Sequence, residues 1–447
     1  MGRRARVGIL VAIAALTACP LPLRATTRYI DRDAPERGPV DAVRIVGNRG
    51  IGENEILNAL GQGPDDIKNA VRVMQGVLPY FRSVEWSVEK EGDRRVLLID
   101  VVEHTELEGL TELSAAFNRV SGWAWGLRRD WWRRADIRSD PKGRFFAEAR
   151  YAFGNDRWQH RYGAEARWFV RRRHEIVATA LRQRWLAPRD IDVMPNNAEQ
   201  TFLAMTYGAD YRDYHERLGS ELSVRAQTED TRHTVTTRVV AERHVSMTTA
   251  SGWSLFAPRG GSEANMPATP GRLRAITAEY EFDGRNGPVF TEGWAQSVAV
   301  ERSLPGLGSD FAFTRVQSHT RAYFRFGDDF VNARLRVVLA GGDPPLQRQV
   351  VWGGSGSLRG YERHAFVGPN GWLTNVEYRR HFFSGTFGLV FADAARVWGA
   401  GLGSDTTAVH ASVGYGILLE NALRVRVARA LRSGARARWH VRWARTF

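Results

Sequence analysis

The sequence predicts a mostly β protein: a sixteen-stranded antiparallel transmembrane β-barrel preceded by one small α+β domain of βααββ order. Three features carry that expectation. The chain opens on an export signal and holds no later apolar run long enough to cross a bilayer as a helix. Near residue 106 its grammar changes, from mixed helix and strand periods to strand, turn, strand as far as the C-terminus. Late in that second region lies Gly353-Gly354-Ser355-Gly356-Ser357-Leu358-Arg359-Gly360-Tyr361, whose glycines and serines carry too much ordering entropy for a packed strand or helix. An arginine between flexible glycines and ahead of an aromatic marks a loop that reaches somewhere and docks.

Arg3, Arg4 and Arg6 form a positive n-region, and residues 7–18 form an apolar stretch too short to span a membrane. Leu23-Arg24-Ala25 suits an ordinary signal-peptidase site, which gives a signal peptide over residues 1–25. Leu16-Thr17-Ala18-Cys19 is a competing lipobox reading, in which Cys19 would be lipidated. Ordinary cleavage is preferred, because a barrel is anchored without a lipid chain. Cys19 is the only cysteine, so the mature chain has no internal disulfide on either reading. Export leaves the periplasm, the outer membrane or secretion as destinations.

The formal net charge is +14, from 63 Lys and Arg against 49 Asp and Glu. Lys68, Lys90 and Lys142 are the only lysines, so nearly all the positive charge is guanidinium. The arginines do not gather in one patch. They alternate with apolar residues, as at Arg424 and Arg426 and at Arg436, Arg438 and Arg442, a pattern that suits a polar barrel lumen and speaks against nucleic acid as a partner.

Residues 26–40, with Pro35, Gly38 and Pro39, read as a linker, and residues 41–104 as the small domain. Residues 41–46 alternate as a short strand that Gly47 ends. A helix follows over 53–60, with Ile56, Leu57 and Leu60 on one face, and a second over 65–78, with Ile67, Val71, Met74 and Leu78 at spacings of three and four. Pro79 breaks it, and strands at 84–89 and 95–103 turn at Gly92-Asp93.

The barrel domain is expected over residues 106–447. Sixteen alternating segments run from 111–118, 143–153, 160–171, 174–187, 201–211 and 218–229 to a last at 435–447. Connections after even-numbered strands should be short periplasmic turns, as at 230–233, 326–328, 383–385 and 419–421, though 188–200 and 284–293 are longer. The longest gaps, 119–142, 249–271 and 341–371, follow odd-numbered strands, where extracellular loops belong. Trp168, Trp185, Trp253, Trp294, Trp372 and Trp398 fall near strand ends, as interfacial girdles require. A soluble sandwich or propeller fits less well, because no blade repeat is visible.

No enzyme signature survives inspection. The glycines of 353–360 miss Gly-x-Gly-x-x-Gly by one position, and Ser357 fails the nucleophile-elbow pattern. The 11 histidines have no metal-ligand spacing. The chain is therefore expected to be no enzyme and to need no cofactor or metal.

With these elements in place, the chain resembles the superfamily of POTRA-plus-barrel outer-membrane proteins, of the BamA, TamA, FhaC and surface-antigen type, as a member with a single POTRA domain at 41–104. Leu358-Arg359-Gly360-Tyr361 matches the family's motif in the long sixth extracellular loop. Residues 283–293 resemble its Asp-x-Arg-x-x-Pro turn through Asp283, Arg285, Pro288 and Gly293, but Thr291 replaces a proline and Gly293 comes one residue early. Asn375-Val376-Glu377-Tyr378 and Phe391-Ala392-Asp393 resemble the motifs of strands twelve and thirteen, with Ala395 where glycine is frequent. The resemblance implies that Arg359 enters the lumen and pairs with Asp393, with Glu377 sharing the guanidinium, and that Gly360 and Tyr361 complete this lock. A last strand ending on Trp443 and Phe447 resembles the signal by which such barrels are recognised during assembly.

The function that follows is an outer-membrane protein translocation or assembly factor, with its POTRA domain in the periplasm, that handles unfolded or nascent polypeptide clients. Val84, Trp86 and Val88 would lie at the strand edge where a client adds by β-augmentation. The lipid bilayer is a partner, and periplasmic chaperones or assembly-machinery subunits are expected ones. A two-partner-secretion-type transporter of one exported protein and a passive pore or structural barrel remain as alternatives.

Overall fold

The structure is a computed structural model that describes residues 42–46, 81–92, 94–103, 109–132, 142–170, 174–189, 197–228, 230–250, 252–256, 264–285, 292–383, 385–399, 408–419 and 423–443. The signal peptide, Cys19, the linker and both helices expected at 53–60 and 65–78 lie outside them.

Strands β1 (Ala42–Val46), β2 (Phe81–Glu91) and β3 (Arg94–Glu103) form a small sheet in the order β1-β3-β2. β1 runs parallel to β3, and β2 runs antiparallel to it. Strands were expected at all three places, by alternation in β1 and by the Gly92-Asp93 turn between β2 and β3. Ile45 and its register partner Ile99 are both buried on the covered face. β2 is an edge strand of this sheet.

The second sheet has sixteen antiparallel strands and is a β-barrel. They are β4 (Gly109–Asn118), β5 (Gly122–Trp132), β6 (Lys142–Ala152), β7 (Arg157–Val170), β8 (His174–Pro188), β9 (Tyr214–Thr228), β10 (His233–Ser246) and β11 (Gly271–Asp283). Then come β12 (Gly293–Ser303), β13 (Ala312–Phe326), β14 (Asp329–Asp343), β17 (Asn370–Phe383), β18 (Thr386–Trp398), β19 (His410–Leu419), β20 (Leu423–Ala430) and β21 (Arg438–Trp443). A two-stranded ribbon, β15 (Val350–Trp352) with β16 (Phe366–Gly368), lies in the connection from β14 to β17.

The expected count of sixteen holds, but through two errors that cancel. Residues 201–211 are not a strand: helix α1 (Asn197–Tyr207) occupies most of them. Over so short a segment, periods of 2 and 3.6 are hard to separate, and Glu199 in the first turn was the overlooked helix signal. The supposed loop at 119–142 instead contains β5. A tight turn at 119–121 feeds it, with Gly122 at φ +58°, where a side chain would be strained. Arginines and Asp130 along β5 hid its alternation. The segment 188–200 consequently changes ends. It begins the connection 189–213 after the fifth strand, at the same end as 247–270 and 344–369.

Faces alternate with inverted polarity. Leu222, Val235, Ile276, Leu339 and Val390 are exposed, whereas Glu242, His244, Arg336, Glu377 and Asp393 are buried. A soluble protein does the reverse, so the outer face has hydrocarbon as its solvent. Two of the six tryptophans depart from a girdle. Trp185 faces the lumen, with the Arg150 guanidinium 4.0 Å above its ring, and Trp253 sits in a connection against Phe117 at 5.9 Å.

Candidate functional site: an arginine loop lodged against the barrel wall

The glycine-serine segment hangs between β15 and β16 and is tied first by its own chain. Gly353 donates its N–H to Ser357 Oγ at 2.8 Å, and Gly354 donates to the Tyr361 carbonyl at 3.1 Å. This closed turn presents Arg359 to strands β17 to β20. Apolar flanks hold it there: Leu358 and Tyr361 belong to a buried cluster with Trp352, Phe366, Leu373 and Val397. Gly360 passes so close to the wall that a Cβ would lie 2.5 Å from the Ala430 nitrogen and 2.6 Å from Ser412 Cβ.

Arg359 is 2% exposed, Asp393 2% and Glu377 0%. Arg359 Nε donates to both Asp393 oxygens, at 3.1 and 3.0 Å, and its second guanidinium nitrogen reaches Oδ1 at 2.5 Å. The Arg359 backbone N–H adds a bond to Asp393 Oδ2 at 3.0 Å. The remaining guanidinium nitrogen donates to Glu377 Oε2 at 3.1 Å. Phe391 supplies a ring face 3.5 Å from the guanidinium carbon. One planar cation thus bonds two carboxylates and stacks on an aromatic, which a lysine ammonium could not do.

Of the wall around this pair, Asn375 stood in the sequence only as part of a motif, and Ser412, Arg334 and His440 went unread. Asn375 Nδ2 bridges Asp393 Oδ1 and the Ser357 carbonyl, both at 2.7 Å. Ser412 Oγ donates to Asp393 Oδ2 at 3.0 Å and accepts from the Gly360 N–H at 3.2 Å. Arg334 reaches the Gly356 carbonyl at 2.8 Å, and His440 donates to the Arg359 carbonyl at 2.8 Å. Glu377 also accepts from Arg379 at 2.8 Å and Arg424 at 3.2 Å, with Arg426 at 3.9 Å. Alternation had placed Arg424 and Arg426 in the lumen, but their convergence on one carboxylate depends on strand register.

A second anchor follows at once. Arg363 and His364 both reach Asp213, in the connection before β9, at 3.0 and 2.5 Å. Arg119 joins Asp213 at 2.6 Å and also bonds the Arg212 carbonyl. Burial by itself would raise the Asp213 pKa. The His364 hydrogen bond and the Arg363 charge outweigh it and hold this carboxyl below the usual carboxylate range. Helix α1 adds a third contact, from Glu199 to Arg442 of β21 at 2.9 Å.

The other expected residues are not drawn into this site. Asp283 and Arg285 pair with each other at 2.8 Å, and Gly293 opens β12 at φ +97°, while Pro288 is outside the described residues. Val84, Trp86 and Val88 lie on β2 and Trp443 ends β21, but their side chains are outside the described set, as is Phe447. Among the described residues no cluster of three His, Cys, Asp or Glu could hold a metal ion.

A sixteen-stranded barrel with lipid-facing apolar strands and a long connection lodged in its lumen is an outer-membrane type of protein. The family model for the Omp85 superfamily domain matches residues 190–425, and the chain belongs to that superfamily. BamA from Haemophilus ducreyi lacking POTRA domains 1–3 has the same fold, with a TM-score of 0.52 at 13% identity over 91% of this chain and 84% of that one. CdiB from Acinetobacter baumannii and CdiB from Escherichia coli are more distant, at TM-scores of 0.41 and 0.40 and 11% identity. The first alignment covers 90% of this chain and 73% of that CdiB, the second 91% and 76%. No curated protein matches the sequence. Family and fold point to the bacterial outer membrane.

Proposed function

We propose that this protein handles unfolded polypeptides at the outer membrane, as an assembly or translocation factor, and performs no covalent chemistry. Arg359, Gly360, Tyr361, Glu377 and Asp393 act as a lock that fixes the loop to the wall and sets the shape of the barrel around it. Residues 41–104 act as a periplasmic POTRA domain, and β2 is its docking edge. The observation that carries this reading is that β2 ends the small sheet's order, so that its outer edge has no ladder partner among the described residues. Backbone groups on such an edge accept an extended chain. The lodged loop weighs against a passive pore, since its buried side chains fill lumen that water would need.

The test is capture. A photoreactive residue in place of Glu89, an exposed position on β2, should cross-link nascent barrel proteins or one exported protein in living cells. Several barrel clients would mark an assembly factor, and a single secreted client a transporter. No captured client, with the variant folded and in the membrane, would overturn the reading.

A further inference from the structure

Register partners in a ladder share a face, so the outward side of the barrel can be traced from its exposed Leu222, Val239, Ile276 and Val300. On that face, at the end bearing the long connections, Arg184, Leu218, Arg243 and Arg272 form one row across β8 to β11, each the register partner of the next. The next row inward along the strands is Arg182, Ser220, Ala241 and Arg274. Arg302 on β12 faces the same way, opposite Ile276. Two carboxylates answer these arginines: Glu216 takes Arg184 at 3.0 Å, and Asp310 takes Arg272 at 2.9 Å. Arg182, Arg243 and Arg302 are exposed and have no ion pair among the described residues.

By its protein contacts alone this arrangement is unfavourable. Arg243 and Arg272 are like charges directly opposite one another. A lipid-facing arginine is costly at the bilayer midplane and tolerable only near the interface. Further along the same strands the outward positions become largely apolar and then aromatic, through Ile276, Ala278 and Tyr280 on β11 and through Val300, Val298 and, past Gln296, Trp294 on β12. The arginine rows therefore sit at headgroup depth, in the leaflet on the side of the long connections. Guanidinium groups bond phosphate oxygens in pairs. Rows lie about 7 Å apart along strands spaced about 4.8 Å, so one headgroup can meet arginines from two strands.

We propose that this face binds phosphate-bearing headgroups of an anionic lipid in the outward leaflet, with Arg182, Arg243 and Arg302 as its contacts. A lipid is favoured over free phosphate because Ile276, level with Arg302, and Val300, one row beneath it, need acyl chains to cover them.

Native mass spectrometry of the full chain tests this, in micelles loaded with equal phosphatidylglycerol and phosphatidylcholine of matched chains. The wild type should retain phosphatidylglycerol selectively. The triple variant Arg182→Gln, Arg243→Gln, Arg302→Gln should lose roughly a hundredfold of that retention, at about fivefold per arginine near the surface. If the triple variant does not fold, Arg243→Gln alone should show the fivefold loss. Arg380→Gln, exposed on the outward face of β17 at the opposite end, should change nothing. Retention by the triple variant at the wild-type level, or an equal loss in Arg380→Gln, would overturn the proposal. So would displacement of the lipid by inorganic phosphate at matched ionic strength, which would make the patch a free-anion site.

Discussion

Arg359 is held by a carboxylate, a second carboxylate and a ring, and each of those partners is buried with it. Desolvating three charges is expensive, so the arrangement tolerates no missing member: stripping one partner from a buried pair costs about 3–5 kcal/mol. Arg359→Ala and Asp393→Ala should each lower the barrel's resistance to denaturant by that order, and the double variant should be little worse than either. Additive losses in that cycle would contradict the pairing. Gly360 tests the approach to the wall rather than the charge. Gly360→Ala places a Cβ against the Ala430 nitrogen and Ser412, neither a flexible side-chain end. It should loosen the loop while every charged group remains. Greater protease cleavage within 353–361 of the folded protein would register this, and wild-type resistance would refute it.

At the scale of elements, the connection from β14 to β17 is fastened twice, at Asp393 and again at Asp213. The second fastening titrates. Asp213 has its folded pKa below the ordinary value, so its contribution is complete above about pH 4 and is lost as pH falls through the lowered folded value. Asp213→Asn lacks that contribution at every pH. Its thermal midpoint should fall below the wild type at pH 7, and the gap should narrow steadily under acid. A gap unchanged between pH 7 and pH 3 would show that the charge of Asp213 contributes nothing there. Helix α1 is the element the alternation misassigned, and the structure shows what it does: its Glu199 meets Arg442 on the last strand, 243 residues away.

For the whole molecule, the sequence by itself determined the fold class, because alternation is imposed locally by the solvent on each side of a strand. Hydrocarbon outside and polar lumen inside wrote themselves into residues such as Val390 and Asp393 without any reference to distant partners. Likewise, Arg359 stood out because an arginine among glycines needs an acidic host, and Glu377 and Asp393 were identifiable from their motifs. Tertiary structure alone decided the rest. That Asn375 and Ser412 brace Asp393, that four guanidinium groups converge on Glu377, and that arginines line up in rows on the lipid face all depend on the register of strands far apart in the chain. Register is fixed by the summed ladder and by burial, not by any short window of residues. The same reason explains how a missed strand and a misread helix could leave the count of sixteen intact.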